Sequence, residues 1–196
     1  MSVMAGFVIL VAEGVAKMWN RMHSIPFGVY GATKVGKTTL HHQLRTRGEV
    51  PEIKKRTVGR ETASRKYIKL DGDAHTVKTA DVGGETVFWS EWIGDMKTRK
   101  VKYIIFMIDD RHMDKHYDIE QQLCWTFLVD TICSPYWDAI NKKGRKKSHD
   151  YPIAVGIWAN KYDLWKSKYP HEGEIKDHPI FETFKSGMTK LNDKGI

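Results

Sequence analysis

Gly31-Ala32-Thr33-Lys34-Val35-Gly36-Lys37-Thr38 matches G-x-x-x-x-G-K-[ST], and each fixed position has a chemical use. Glycines let the backbone curl so that successive N–H groups point inward at an anion, a concavity that side chains would fill. Lys37 can reach the outer phosphates of a nucleoside triphosphate, and the Thr38 hydroxyl can ligate Mg²⁺. With Thr39, next in the chain, these residues form the candidate phosphate-binding set. The flanks suit that use. Residues 25–30 form a short apolar stretch fit for a buried strand, despite Pro26. Residues 37–47 read as a helix with Leu40 and Leu44 one turn apart and Gly48 as C-cap. The start of that helix would add its partial positive charge at the phosphates.

A second motif bears on the base. The apolar run 153–159 leads into Asn160-Lys161-Tyr162-Asp163, an N-K-x-D pattern. A buried Asp163 carboxylate would accept hydrogen bonds from N1–H and the N2 amino group of guanine, a donor pair that adenine lacks. Asn160 would tie this loop to the phosphate loop, and the aliphatic stem of Lys161 would lie on the purine face. Between the two motifs, Asp81-Val82-Gly83-Gly84 closes the run 75–80 in a D-x-x-G pattern. Asp81 would hold Mg²⁺, usually through water, and the Gly84 N–H would meet the γ-phosphate. Upstream, Arg56-Thr57-Val58-Gly59 reads as a first switch, with Thr57 offering its hydroxyl to the metal and its N–H to the γ-phosphate. Loss of that phosphate would release both segments.

In these four ordered motifs the chain resembles the small GTPases of the Ras superfamily, and within them the Arf and Arf-like branch. The closer likeness rests on Thr57-Val58-Gly59, on Asp81-Val82-Gly83-Gly84 where D-T-A-G is common elsewhere, and on an apolar N-terminal extension. It covers roughly residues 25–190 and implies GTP/GDP and Mg²⁺ as ligands. It also implies an exchange factor, a GTPase-activating protein and an effector as partners at the switches. A base-contacting S-A-K or S-A-L motif is expected near the end, and Ser186-Gly187-Met188 is its candidate, after the apolar run 180–184. The family's final helix would then be absent or shortened. Glu85 stands where the family usually has Gln to orient the attacking water. A carboxylate there adds negative charge where it must be neutralised, so slow hydrolysis is expected. The candidate catalytic set is Glu85, Lys37, Thr57 and Gly84; the metal set is Thr38, Thr57 and Asp81. Arg56 and Arg60 are read as solvated loop charges before fingers in cis.

The elements that must position these residues alternate along the chain. Residues 65–70 and 75–80 pair as a hairpin around Asp71-Gly72-Asp73, residues 101–108 form a buried strand, and 119–140 form a long helix interrupted near Pro135. With a last short strand at 180–184, the expected fold is α/β. It is a P-loop NTPase three-layer α/β/α sandwich whose six-stranded sheet is mostly parallel with one antiparallel edge strand. At 196 residues, one G domain over 24–196 follows an amphipathic helix over 1–23.

That helix carries Met4, Phe7, Val8, Val11, Val15, Met18, Trp19 and Met22 on one stripe. Its densest run is too short to span a bilayer, and it lacks the flanks of a signal peptide. Ser2 excludes N-myristoylation. Docking on the domain, reversible attachment to an anionic membrane surface and partner binding all stay open. The expected location is cytoplasmic, with or without peripheral membrane attachment. The net charge of +8 gathers at Lys54, Lys55 and Arg56 and at Lys142, Lys143, Arg145, Lys146 and Lys147, but no nucleic-acid module accompanies it. Specific nucleic-acid binding is therefore not expected. Cys124 and Cys133 offer no disulfide framework, as in a reducing compartment. His112 and His116 are one turn apart but read as exposed, turn-capping residues before metal ligands. Some of Val87, Phe88, Trp89 and Trp92 must pack inward, and an exposed aromatic pair among them would make a hot spot for an effector. Two function classes remain: a slowly hydrolysing GTPase switch, and a hydrolysis-deficient module in which nucleotide is structural.

Overall fold

The strands pair around the segment that feeds the Gly31 loop. A computed structural model describes residues 24–46, 60–70, 73–114, 119–142 and 152–196. The expected N-terminal helix, the Thr57 switch, residues 71–72 of the hairpin turn, His116 and the basic run 143–147 lie outside the described residues. Strands β1 (Ser24–Tyr30), β2 (Arg60–Leu70), β3 (Asp73–Val82), β4 (Tyr103–Ile108) and β5 (Ala154–Ala159) form one sheet in the order β2-β3-β1-β4-β5. β1 runs parallel to both β3 and β4, β4 runs parallel to β5, and β2 is the antiparallel edge. The fold is α/β.

The register explains the burial. Phe27 to Tyr30 lie opposite Tyr103 to Phe106, so the apolar centres of β1 and β4 coincide. Val29, Tyr30, Phe106 and Ile108 are fully buried there. Strands covered on both faces read as continuous apolar runs, which is what YIIFMI in β4 shows. Since β1 is flanked by β3 on one side and β4 on the other, successive connections leave it in opposite directions. Such a switch point opens a crevice at the carboxyl ends of the strands.

Helices α1 (Lys37–Thr46), α2 (Trp89–Arg99), α3 (Glu120–Cys133), α4 (Pro135–Lys142), α5 (Tyr162–Trp165) and α6 (Lys185–Asp193) complete the order. The helical stretch expected over 119–140 is interrupted at Pro135, as expected, and forms two helices. Ser134 leaves helical geometry at ψ 149, as a residue before proline is pressed to do, and Pro135 opens α4. Cys124 and Cys133 both sit on α3 as free thiols.

The expected sixth strand is not formed. Pro179–Phe184 is a 3-10 turn with proline in its first positions, and it buries Ile180, Phe181 and Phe184, a helical spacing and not the alternation of a strand. Among the described residues the sheet therefore has five strands. No helix among them is long and apolar enough to cross a membrane.

A buried polar cluster joins α2 to β1. The Tyr30 hydroxyl donates to Asp95 Oδ2 at 2.7 Å, and Arg99 Nε donates to Asp95 Oδ1 at 2.7 Å. Arg99 Nη1 also donates to the Phe27 carbonyl at 2.7 Å, fastening α2 to β1. Burial first, then the Asp95 charge, pushes the Tyr30 phenol well above its ordinary range.

Candidate phosphate and base site

Four motif segments leave the carboxyl ends of the parallel strands: the Gly31 loop after β1, Asp81 to Gly84 at the end of β3, Asp109 after β4 and Asn160 after β5. The loop has the backbone its glycines permit. Gly31 has φ 146° and Gly36 φ 106°, both rarely open to a residue with a side chain. A Cβ on Gly31 would lie 2.3 Å from the Met107 carbonyl oxygen, and one on Gly36 would lie 2.2 Å from Asn160 Nδ2. Lys34 also takes positive φ, at 64°.

Lys37 is buried at the start of α1, and its Nζ donates to the carbonyls of Gly31 and Ala32, both at 2.8 Å. Burial lowers its pKa to about 8, against the pull of nearby Asp81. Phosphate beside this amine favours its charged form, so binding takes up a proton once the amine has begun to deprotonate. Affinity therefore falls as pH rises through 8. We expect nucleotide or pyrophosphate affinity to be about tenfold weaker at pH 9 than at pH 7. Lys37→Arg, which keeps its charge, should lack that step, and titration at both pH values checks it. Thr38 is half-buried next to Lys37, and Asp81 is buried at the end of β3.

The two sequence-distant motifs are joined directly. Asn160 Nδ2 donates to the Val35 carbonyl at 2.8 Å, across 125 positions of sequence, the tie expected from the residue types. Trp165 supports it from below: its indole N–H donates to the Asn160 carbonyl at 2.8 Å, while the ring is buried against Tyr162 and His178. Lys161 takes a left-handed backbone at φ 58°, and its Nζ lies 2.5 Å from Asp109 Oδ2. Its stem is thereby directed across the strand ends. Asp163 differs from the expectation, being exposed in the first turn of α5.

Asp109, directly after β4, is a hub. Its carboxylate is fully buried and accepts from Arg111 Nε at 2.9 Å, Lys161 Nζ at 2.5 Å and Gln121 Nε2 at 2.7 Å. Burial alone would raise its pKa, but the hydrogen bonds from Arg111 and Lys161 outweigh that and hold it below the ordinary value. Arg111 also donates through Nη2 to the Thr33 carbonyl at 2.7 Å, so the hub reaches the phosphate loop. Partners this far apart in sequence leave no local pattern; only the pairing of an acidic strand end with a downstream Lys161 hinted at it.

The D-x-x-G segment is pinned by indoles. Trp92 donates to the Gly83 carbonyl at 2.7 Å, Trp89 to that of Gly84 at 3.4 Å, and Cys124 Sγ lies 3.5 Å from the same Gly84 oxygen. A Cβ on Gly84 would fall 2.5 Å from the Ala32 carbonyl carbon, so this glycine packs directly on the phosphate loop. Glu85 follows, half-buried, its carbonyl accepting from Phe88 N–H at 2.9 Å as the next 3-10 turn begins.

The packing places three further groups of candidates. Trp92 is fully buried and Trp89 stacks on Phe127 with centroids 4.6 Å apart, so the inward packing expected of some of the groups after Gly84 takes both indoles; Val87, 71% exposed, is the apolar group that faces out. Both indoles are drawn inward by their hydrogen bonds to the glycine carbonyls. Ser186, Gly187 and Met188 lie in the first turn of α6, not in a loop after a strand. Gly187 packs on the Trp125 indole of α3, where a Cβ would lie 2.2 Å from Nε1, and this helix packing accounts for the glycine. His112 is buried, its ring nitrogens 2.6 Å from the Asp109 carbonyl oxygen and 2.9 Å from that of Ile180.

No protein-family model matches the chain, and no curated protein matches it significantly in sequence.

Proposed function

We propose that the chain is a guanine-nucleotide-binding switch of the small GTPase type, built on a P-loop NTPase α/β/α sandwich, that binds GTP or GDP with Mg²⁺. The observation carrying this reading is the Asn160–Val35 hydrogen bond, which joins the N-K-x-D segment to the glycine-rich loop that starts at Gly31. Side chains at Gly31 and Gly36 would collide with Met107 and Asn160, which accounts for glycine at both bends of the loop. Residues 31–39 would cradle the phosphates, Thr38, Asp81 and Thr57 would hold the metal, and Asp163 would read the base with Asn160 and Lys161 around it. The metal would neutralise charge on the outer phosphates. Lys37 would exchange its two carbonyl partners for phosphate oxygens.

In this reading Glu85 sets the rate. Its carboxylate would accept a hydrogen bond from the attacking water but oppose the charge developing in transfer. Glu85→Gln should raise single-turnover phosphate release about tenfold, a barrier change of about 1.4 kcal/mol. An unchanged or slower rate would count against that role. Exchange factor, activator and effector would meet the segments around Thr57 and Gly84, and the N-terminal residues offer reversible attachment to an anionic membrane. Chromatography of nucleotide extracted from the purified protein tests the reading as a whole. Guanine nucleotide is expected, and adenine nucleotide would overturn it.

A second reading has its own observation. Gly84 packs so closely on Ala32 that a γ-phosphate contact requires the segment to move. If it does not move, nucleotide would serve mainly to stabilise the fold, and phosphate release would stay absent even with candidate activators.

A further inference from the structure

Thr33 is the loop residue on which opposing contacts meet. Its N–H donates to Glu120 Oε1 at 3.0 Å and its hydroxyl donates to the same oxygen at 2.8 Å. Its carbonyl accepts from Arg111. Gly84 abuts the same peptide, for a Cβ there would lie 2.6 Å from Thr33 N. On the guanine-nucleotide reading Gly84 would move from this position to meet the γ-phosphate, so the Glu120 carboxylate holds a loop N–H close to where that phosphate would sit. Its charge is also felt at Lys37, whose ammonium it favours. A place in the first turn of α3 accounts for an acidic residue type, because the helix dipole stabilises one there. It does not account for a carboxylate spanning 87 positions to take both donors of one loop residue.

We propose that Glu120 is a specificity-determining residue that biases the site toward the diphosphate, by occupying the Thr33 donors and placing negative charge where a third phosphate must sit. This rests on the guanine-nucleotide reading above. A diphosphate leaves the Glu120–Thr33 contact intact. A triphosphate must either displace the carboxylate or lie against it, and like charges at that distance repel strongly where water is scarce.

The test is equilibrium titration, with Mg²⁺, of fluorescent GDP and a fluorescent non-hydrolysable GTP analogue into wild-type protein, Glu120→Gln and Thr33→Val. Glu120→Gln should raise the ratio of triphosphate to diphosphate affinity about tenfold. Thr33→Val, which removes the hydroxyl arm and loosens the carboxylate, should raise it less. Thr33→Val carries the test if Glu120→Gln fails to fold. Diphosphate binding with an unchanged ratio overturns the proposal alone, including the case where Glu120→Gln merely lowers the melting temperature. Binding of neither nucleotide by wild-type protein overturns the guanine-nucleotide reading and this proposal with it.

Discussion

Asp163→Asn should weaken GTP binding roughly 100- to 1,000-fold and bring XTP, whose base carries a carbonyl at C2, into the binding range. A carboxylate offers two acceptors to the N1–H and N2 amino group of guanine. An amide offers one acceptor and one donor, so one hydrogen bond is lost and an N–H is set against an N–H. The same amide pairs correctly with N1–H and O2 of xanthine. Asp163 is exposed on α5, so its replacement removes no buried support from the fold, and the loss should appear in binding with the melting temperature preserved. Competitive titration of GTP and XTP against a fluorescent nucleotide checks both halves. Equal loss for both bases would mean that Asp163 does not read position 2 of the ring.

Asp95→Ala should destabilise the fold by about 3–5 kcal/mol, as removal of one partner from a buried ion pair does. The Asp95 side chain is fully buried and its partner Arg99 nearly so. Without the carboxylate, the Tyr30 hydroxyl and the Arg99 guanidinium lose their shared acceptor, while Arg99 keeps its bond to Phe27 O. For a domain of this size the melting temperature should fall by about 10 °C. Replacing Arg99 by Met in the same chain should restore part of the loss, because the stranded charge leaves with it. Thermal unfolding of the single and double variants measures this, and additive losses would contradict a coupled cluster. Tyr30 ends the strand that enters the Gly31 loop, so the cluster also fixes where that loop begins.

What was legible in the sequence was local. The loop glycines, the strand before them and the helix after them declare themselves within a dozen residues, and β1 and α1 end within a residue of where the pattern puts them. Asn160 was legible because its motif fixes a partner. Asp109, Arg111, Gln121 and Glu120 were not, since their roles depend on which strand ends become neighbours, and residue spacing does not encode that. The segment 180–184 misled for a different reason. A short apolar run does not distinguish a strand from a buried helical turn, and Pro179 at its start was the signal for the turn. Ser186 to Met188 then followed a strand that does not exist. Asp163 was expected to be buried, but it is exposed on α5.

The central claim is that one site joins a phosphate loop to a guanine reader, and direct calorimetric titration of the purified protein with GTP and with ATP, in the presence of Mg²⁺, tests it most directly. The account predicts that GTP binds with one-to-one stoichiometry and about 1,000-fold more tightly than ATP. Equal affinities, a preference for ATP, or binding of neither would contradict it.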